Sequence, residues 1–202
     1  MSAPVTADRL REYAAQTVAY VQRAVGVELA FDSDTLPLLD HYLRTVPTDQ
    51  PATTRLIVAT AAAYFGEVVV RHLGGRWEAT ADDLGAWRVV LPTGLSFSPA
   101  GMVGAAIARA EVADLDTTLD APPKMQPYVE QALARMSPVT TDEFYSLCGR
   151  LDTLEHVHEV LVTVAAQLAG GPVPAPDDGD DDDDDDEVPV DPATPPAEPL
   201  VN

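Results

Sequence analysis

Residues 51–98 read PATTRLIVATAAAYFGEVVVRHLGGRWEATADDLGAWRVVLPTGLSFS, and the change of period at Gly74-Gly75 within this stretch decides the fold class. Up to Leu73 the spacing is helical. Leu56, Ala59, Ala63, Gly66 and Val70 trace one side of a helix predicted over 52–73. Ala59, Ala61, Ala62, Ala63 and Gly66 carry little bulk, so a neighbouring helix can approach closely; this is a core-building helix. Gly74 and Gly75 end it, because glycine takes left-handed cap geometry without a Cβ clash. Beyond them, residues 76–80 read as a short strand, 81–85 as a polar turn and 86–91 as a second strand with Trp87 and Val89 on one face. Pro92, Thr93 and Gly94 make another turn before a third strand at 95–98. The result is a three-stranded antiparallel meander, and its two tryptophans are expected to pack it against the long helices.

Helices flank this centre on both sides. Leu10, Tyr13, Thr17, Tyr20, Val21 and Ala24 give an apolar stripe to a helix from residue 6 or 7 to 25. Ser33 reads as the cap of a helix over 34–44, with Leu36, Leu38, Leu39, Tyr42 and Leu43 as its stripe. After the meander, Pro99 opens a helix containing Met102, Val103, Ala106 and Ile107. A connection over 112–124 leads to a helix at 128–136. Thr140 or Thr141 then caps a last helix over 142–168, whose seam is Leu147, Leu151, Leu154, Leu161, Ala165 and Leu168. Helices, a small sheet and helices again make an α+β fold, mainly helical, and not a doubly wound sheet.

The C-terminal region differs in kind. Asp177, Asp178, Asp180, Asp181, Asp182, Asp183, Asp184, Asp185 and Asp186 lead into Glu187, flanked by prolines. Mutual repulsion and the lack of apolar side chains predict a disordered acidic tail over 170–202, beside a single folded domain over 1–169. Of the 33 acids, residues 171–202 hold 12 and no Lys or Arg, leaving 21 against 12 basic residues in the body. Both parts are therefore acidic, which disfavours attraction to nucleic-acid phosphates or anionic membranes and favours a protein partner, in particular a basic one. Cys148 is the single cysteine, so no disulfide forms within the chain. No signal peptide is visible, and no run approaches the roughly 20 apolar residues of a membrane span, so the expected location is cytoplasmic.

The central pattern includes Phe65-Gly66-Glu67, Leu73-Gly74-Gly75-Arg76-Trp77, Gly85 and the strand to Pro92. Ser98-Pro99, Met102 and Glu111-Val112-Ala113-Asp114 complete it. Over residues 55–120 this resembles a family of small bacterial domains of unknown function with a helix, Gly-Glu, Trp, meander, Pro, helix core. The resemblance implies an α+β domain and brings no enzymatic mechanism with it. Where that family carries a basic residue soon after the Met, this sequence has Gly104, Ala105 and Ala106, with Arg109 later.

Among polar residues, Glu67 interrupts an apolar helix and has Arg71 four positions on, with Arg76 and Arg88 as further partners. A structural ion pair is the plainer reading. With Trp77 these residues also form the candidate polar or ligand site, Glu67, Arg71, Arg76, Trp77 and Arg88. His156 and His158 leave a helix about 200° apart and do not make a metal pair. Glu155 and His158 make one Glu-x-x-His step, but a di-iron bundle needs a second copy, and Val70 stands where it would follow Glu67. No metal is expected, and His158 reads as a hydrogen-bonded residue near the core. Cys148 reads as packing. Gly74-Gly75-Arg76 follows a helix and precedes a strand, the reverse of a phosphate-binding loop. No Walker A, dinucleotide, HExxH or nucleophile-elbow motif is present, so no cofactor is expected and no catalytic residue is assigned.

The sequence thus suggests a soluble interaction or regulatory module whose acidic tail tunes electrostatics. An enzyme or small-ligand-binding domain around Glu67, Arg71, Trp77 and Arg88 is the first alternative. An immunity-like inhibitor of a basic protein is the second.

Overall fold

In the computed structural model, residues 7–79 and 83–170 are described; the acidic segment from Asp177 to Glu187 lies outside them. The chain forms α1 (Ala7–Val25), α2 (Leu36–Leu43), α3 (Pro51–Leu73), β1 (Arg76–Ala79), β2 (Trp87–Val90), β3 (Ser96–Phe97), α4 (Pro99–Ala108), α5 (Gln126–Arg135), α6 (Thr141–Phe144) and α7 (Leu147–Leu168). This is the α+β architecture expected, with an antiparallel sheet in the order β1-β2-β3.

Helix α3 is the axis of the fold. It ends where the sequence predicts, with Gly74 left-handed at φ 72° and its N–H donated to the Val70 carbonyl. Its burial goes further than the single stripe read from spacing: every residue from Ile57 to Gly66, then Val68 and Val69, is buried, while Leu56 is exposed. By length and hydropathy, Pro51–Leu73 reaches the range of a membrane-crossing helix, contrary to the sequence expectation, yet 67% of its most apolar window is buried within the fold. Helices α1 and α4 pack against it, and α1 buries Leu10, Ala14, Thr17 and Val21. Tyr20 is only half-buried and Ala24 is exposed, so Ala14 takes a place in the stripe that spacing had given to them.

The sheet covers one flank of this bundle. Trp87 and Val89 point inward as expected, and the Trp87 ring lies 5.9 Å from that of Tyr13 on α1. Trp77 lies over α3 at Gly66, where any Cβ would overlap its ring. Ser98 caps α4 by accepting the Gly101 N–H at 3.2 Å, and Pro99 fills the first turn. The outer edge of β3 is not left open: Ser96 and Asp120 exchange backbone hydrogen bonds at 2.7 and 2.9 Å.

Three helix starts differ from the sequence reading, α5 beginning at Gln126 and not at 128. Helix α2 begins at Leu36, not at 34, because Phe31 turns left-handed (φ 60°) to stack on Tyr64. Asp32 accepts the Thr35 N–H at 3.0 Å in the preceding turn, and Thr35, not Ser33, takes the cap position, with no side-chain capping bond. The last helix is two. Thr140 caps α6 by accepting the Glu143 N–H, and Ser146 opens α7 by accepting the Gly149 N–H at 2.9 Å. The seam of α7 is buried from Leu147 to Leu161, whereas Ala165 and Leu168 are exposed because no neighbour extends that far.

Candidate functional site

The five polar-site residues selected from the sequence do not converge. Glu67 accepts a hydrogen bond from Arg71 Nε at 2.8 Å, and the Arg71 guanidinium sits 4.6 Å over the Phe31 ring. Phe31 donates its N–H to Tyr64 Oη at 3.0 Å, so Arg71 and Tyr64 clamp the loop before α2 onto α3. Arg76 pairs with Glu78 on the surface of β1. Trp77 is engaged with Gly66, and its indole N–H has no partner among the described residues. Arg88 leaves β2 on the opposite side from Trp87 and binds Asp116, at 2.7 Å, and Asp120. These are separate structural pairings, and none of the five lines the large cavity described below.

The histidines and the cysteine are also engaged locally. Glu155 contacts His72 Nε2 at 2.6 Å, tying α7 to α3. His158 Nδ1 shares a 3.0 Å hydrogen bond with Thr93 in the β2–β3 turn, and burial lowers its pKa. Among the described residues no three His, Cys, Asp or Glu side chains gather as metal ligands. The Cys148 thiol is pushed up to about 12 by burial and by the neighbouring Asp40. A thiol held protonated in this way is a poor nucleophile.

A charged group with unfilled bonding capacity stands at the corner between α6 and α7. The sequence builds this corner from two caps six residues apart, Thr140 and Ser146, with a bend between them. All four amides at the start of α7 are satisfied. Ser146 N–H donates to the Glu143 carbonyl and Gly149 N–H to Ser146 Oγ. Leu147 and Cys148 donate theirs, at 2.7 and 3.1 Å, to the two carboxylate oxygens of Asp40, a buried residue of α2. Gly149 lets this happen: a Cβ there would overlap the Glu143 carbonyl oxygen.

One turn into α7 stands Arg150, only 8% exposed. Its guanidinium lies 4.4 Å from the centre of the Phe144 ring and 5.6 Å from that of Tyr145. Nε and Nη2 have no hydrogen-bond partner among the described residues. Those two nitrogens form one edge of the guanidinium, the fork that grips a carboxylate or phosphate with two parallel bonds. Leaving buried donors unpaired costs about 1–3 kcal/mol each, more for a charged group, and cation–π contact returns about 1–2 kcal/mol. Burial accordingly lowers the Arg150 pKa, while Glu111 and Tyr145 act in the opposite direction. A guanidinium stays cationic regardless.

Arg150 lines a cavity of about 940 Å³, a size typical of small-molecule sites. Its apolar wall comes from Leu119, Leu133, Met136, Val139 and Phe144, with Met102 of α4 beneath. Thr117, Thr118 and Gln126 supply neutral polar groups, and Glu111, Glu143 and Asp152 supply carboxylates. The 111–120 connector that forms one wall is firmly held. Arg88 binds its two aspartates, Gln126 accepts the Ala121 N–H at 2.8 Å, and Thr117 Oγ1 donates to Glu111 at 2.6 Å. Its backbone at Asp116 presses on Gly101 of α4, and Leu115 occupies the space above Gly104. Arg150 is the functional candidate that sequence reading passed over. The available signal was an arginine between Leu147 and Leu154 on the apolar face of an amphipathic helix, where a charge needs a reason to be.

No family model matches the chain, and neither the curated proteins nor the solved structures yield a match.

Proposed function

We propose that this protein is a ligand-binding module whose site is the Arg150 cavity, and that its ligand carries an oxyanion received by Arg150. One observation carries the reading: an arginine that is more than nine-tenths buried, with Nε and Nη2 unpaired among the described residues, lines a cavity of about 940 Å³. A buried guanidinium short of hydrogen-bond partners is destabilising even with Glu111 nearby, and an entering carboxylate or phosphate relieves that cost. No nucleophile and base are paired at the site, so the proposal is recognition, not turnover. This keeps the small-ligand alternative suggested by the sequence but moves it from the Glu67 region to α7.

A second reading, the interaction or regulatory module first suggested by composition, is favoured by the cavity's mouth. Leu133, Val139 and Phe144 line the cavity and are also among the large apolar side chains left exposed. A protein segment bearing an acidic group would cover that rim.

The test is titration calorimetry of the full chain with benzoate and with inorganic phosphate, beside the substitution Arg150→Met. Replacing a buried unpaired charge by an apolar side chain of similar length leaves stability equal or higher. Arg150→Met is therefore expected to fold and to lose binding, with Arg150→Lys intermediate because it lacks the fork. Benzoate or phosphate binding to Arg150→Met with wild-type affinity overturns the proposal, as does failure of both anions to bind the wild-type chain at millimolar concentration.

A further inference from the structure

The charges facing the cavity are unequal. One guanidinium, that of Arg150, meets three carboxylates, Glu111, Glu143 and Asp152, and no lysine lines the site. Glu111 is close enough to act on the Arg150 charge, and Thr117 fixes its Oε2. A ligand with two or more negative charges would satisfy Arg150 and then meet repulsion from the surrounding acids. A neutral ligand would leave the guanidinium unpaired. The complementary molecule has one anionic end, one cationic end and an apolar body between or beside them.

We infer that the ligand is an ammonium–carboxylate zwitterion with an apolar side chain, a free amino acid or a short peptide. Its carboxylate pairs with Arg150, its ammonium faces Glu111 and Asp152, and its side chain rests on the wall of Leu133, Met136, Val139 and Phe144. This inference rests on the Arg150 reading above and adds the ligand's second charge and its apolar part.

Three features of the site serve this ligand in different ways. The Phe144 and Tyr145 rings hold the guanidinium plane in place, so little rotamer freedom remains to be lost on binding. The Gln126 side chain, bonded to Ala121 N–H and the Leu119 carbonyl, ties the end of the connector to the start of α5. The cavity volume exceeds that of a single amino acid, which favours the peptide source over the free amino acid.

The full-length protein should be titrated by calorimetry with L-leucyl-L-phenylalanine, its N-acetyl form, its C-terminal amide, and free L-phenylalanine. The dipeptide is expected to bind, with each blocked form weaker by about tenfold, the loss for one charge-assisted hydrogen bond. Dipeptide binding well above that of phenylalanine identifies the peptide source, and the reverse order identifies the free amino acid. The paired substitution Glu111→Gln with Asp152→Asn should weaken the dipeptide by about tenfold and leave the N-acetyl form unchanged.

The outcomes separate the two readings. If the N-acetyl form binds as tightly as the dipeptide and still requires Arg150, the zwitterion is wrong and the oxyanion site stands. If the amide binds as tightly as the dipeptide, both fail. If none of the four binds at millimolar concentration while benzoate does, the ligand is a simple anion and the zwitterion inference is overturned.

Discussion

Asp40→Ala removes a side chain whose hydrogen bonds join α2 to the start of α7. Its two oxygens accept from Leu147 and Cys148 at 2.7 and 3.1 Å, across 107 and 108 residues of sequence, in a buried setting. A carboxylate accepting helix N-terminal amides combines a cap, typically worth about 1 kcal/mol, with a favourable dipole interaction of about 0.3–1 kcal/mol. The substitution also strands two amide donors, each costing about 1–3 kcal/mol where water does not reach them. Because the cap and the stranded amides are partly the same hydrogen bonds, removing Asp40 should cost about 3–5 kcal/mol, less than the plain sum of these terms, or roughly 8–15 °C in Tm for a domain of this size. Urea unfolding followed by far-UV circular dichroism measures it, with an unchanged m-value showing that the denatured state is unaltered. Ser146→Ala, which removes the Gly149 bond and the hydroxyl's own bond to the Glu143 carbonyl, should cost about 1–2 kcal/mol and serves as the internal scale. A loss below about 1 kcal/mol for Asp40→Ala would refute the view that this carboxylate anchors α7, since two buried amides cannot be orphaned so cheaply.

Gly101→Ala places a methyl group against the Asp116 carbonyl, so it should cost about 2–3 kcal/mol and shift the amide resonances of the 111–120 connector; a stability within about 0.5 kcal/mol of wild type would count against the close approach. Cys148, its thiol raised to about 12 by burial and Asp40, should be alkylated slowly by iodoacetamide at pH 8. Its thiolate is about a thousandfold scarcer than that of an ordinary thiol, offset about tenfold by higher intrinsic nucleophilicity, for a net slowing of about a hundredfold. Folded and urea-unfolded rates that agree within about threefold would contradict this environment for the thiol.

The parts of the fold that sequence spacing conveys are those set by neighbours in the chain. Glycine at 74 ends α3, Ser98-Pro99 starts α4, and the alternation through Trp87 and Val89 gives the sheet its inner face. Each follows from backbone sterics or a local hydrogen bond. The α7 start was misplaced because Thr140 and Ser146 are both competent caps, and only the distant carboxylate of Asp40 shows where the long helix begins. Arg88 was legible as a cation, but its partners Asp116 and Asp120 lie 28 and 32 residues away in a segment without periodicity. The candidate site was hidden for a similar reason. Glu67 drew notice because it interrupts a long apolar helix, yet a partner one turn away satisfies it. Arg150 interrupts a seam whose apolar positions already explain the helix, and its lack of a partner emerges only when α6, α7 and the connector are brought together.

The seating of the connector on α4 has a consequence for which positions tolerate change. Surface connections usually accept substitution freely, and helices that contribute only small residues are usually forgiving as well. Here the two are inverted. The path of residues 111–118 depends on what α4 lacks, because a Cβ at Gly101 or Gly104 would collide with the Asp116 backbone or the Leu115 side chain. A random-mutation library selected for folded protein would thus keep glycine at two helical positions where propensity alone would prefer alanine. The exposed residues of the neighbouring connector would drift around a backbone that those glycines hold in place.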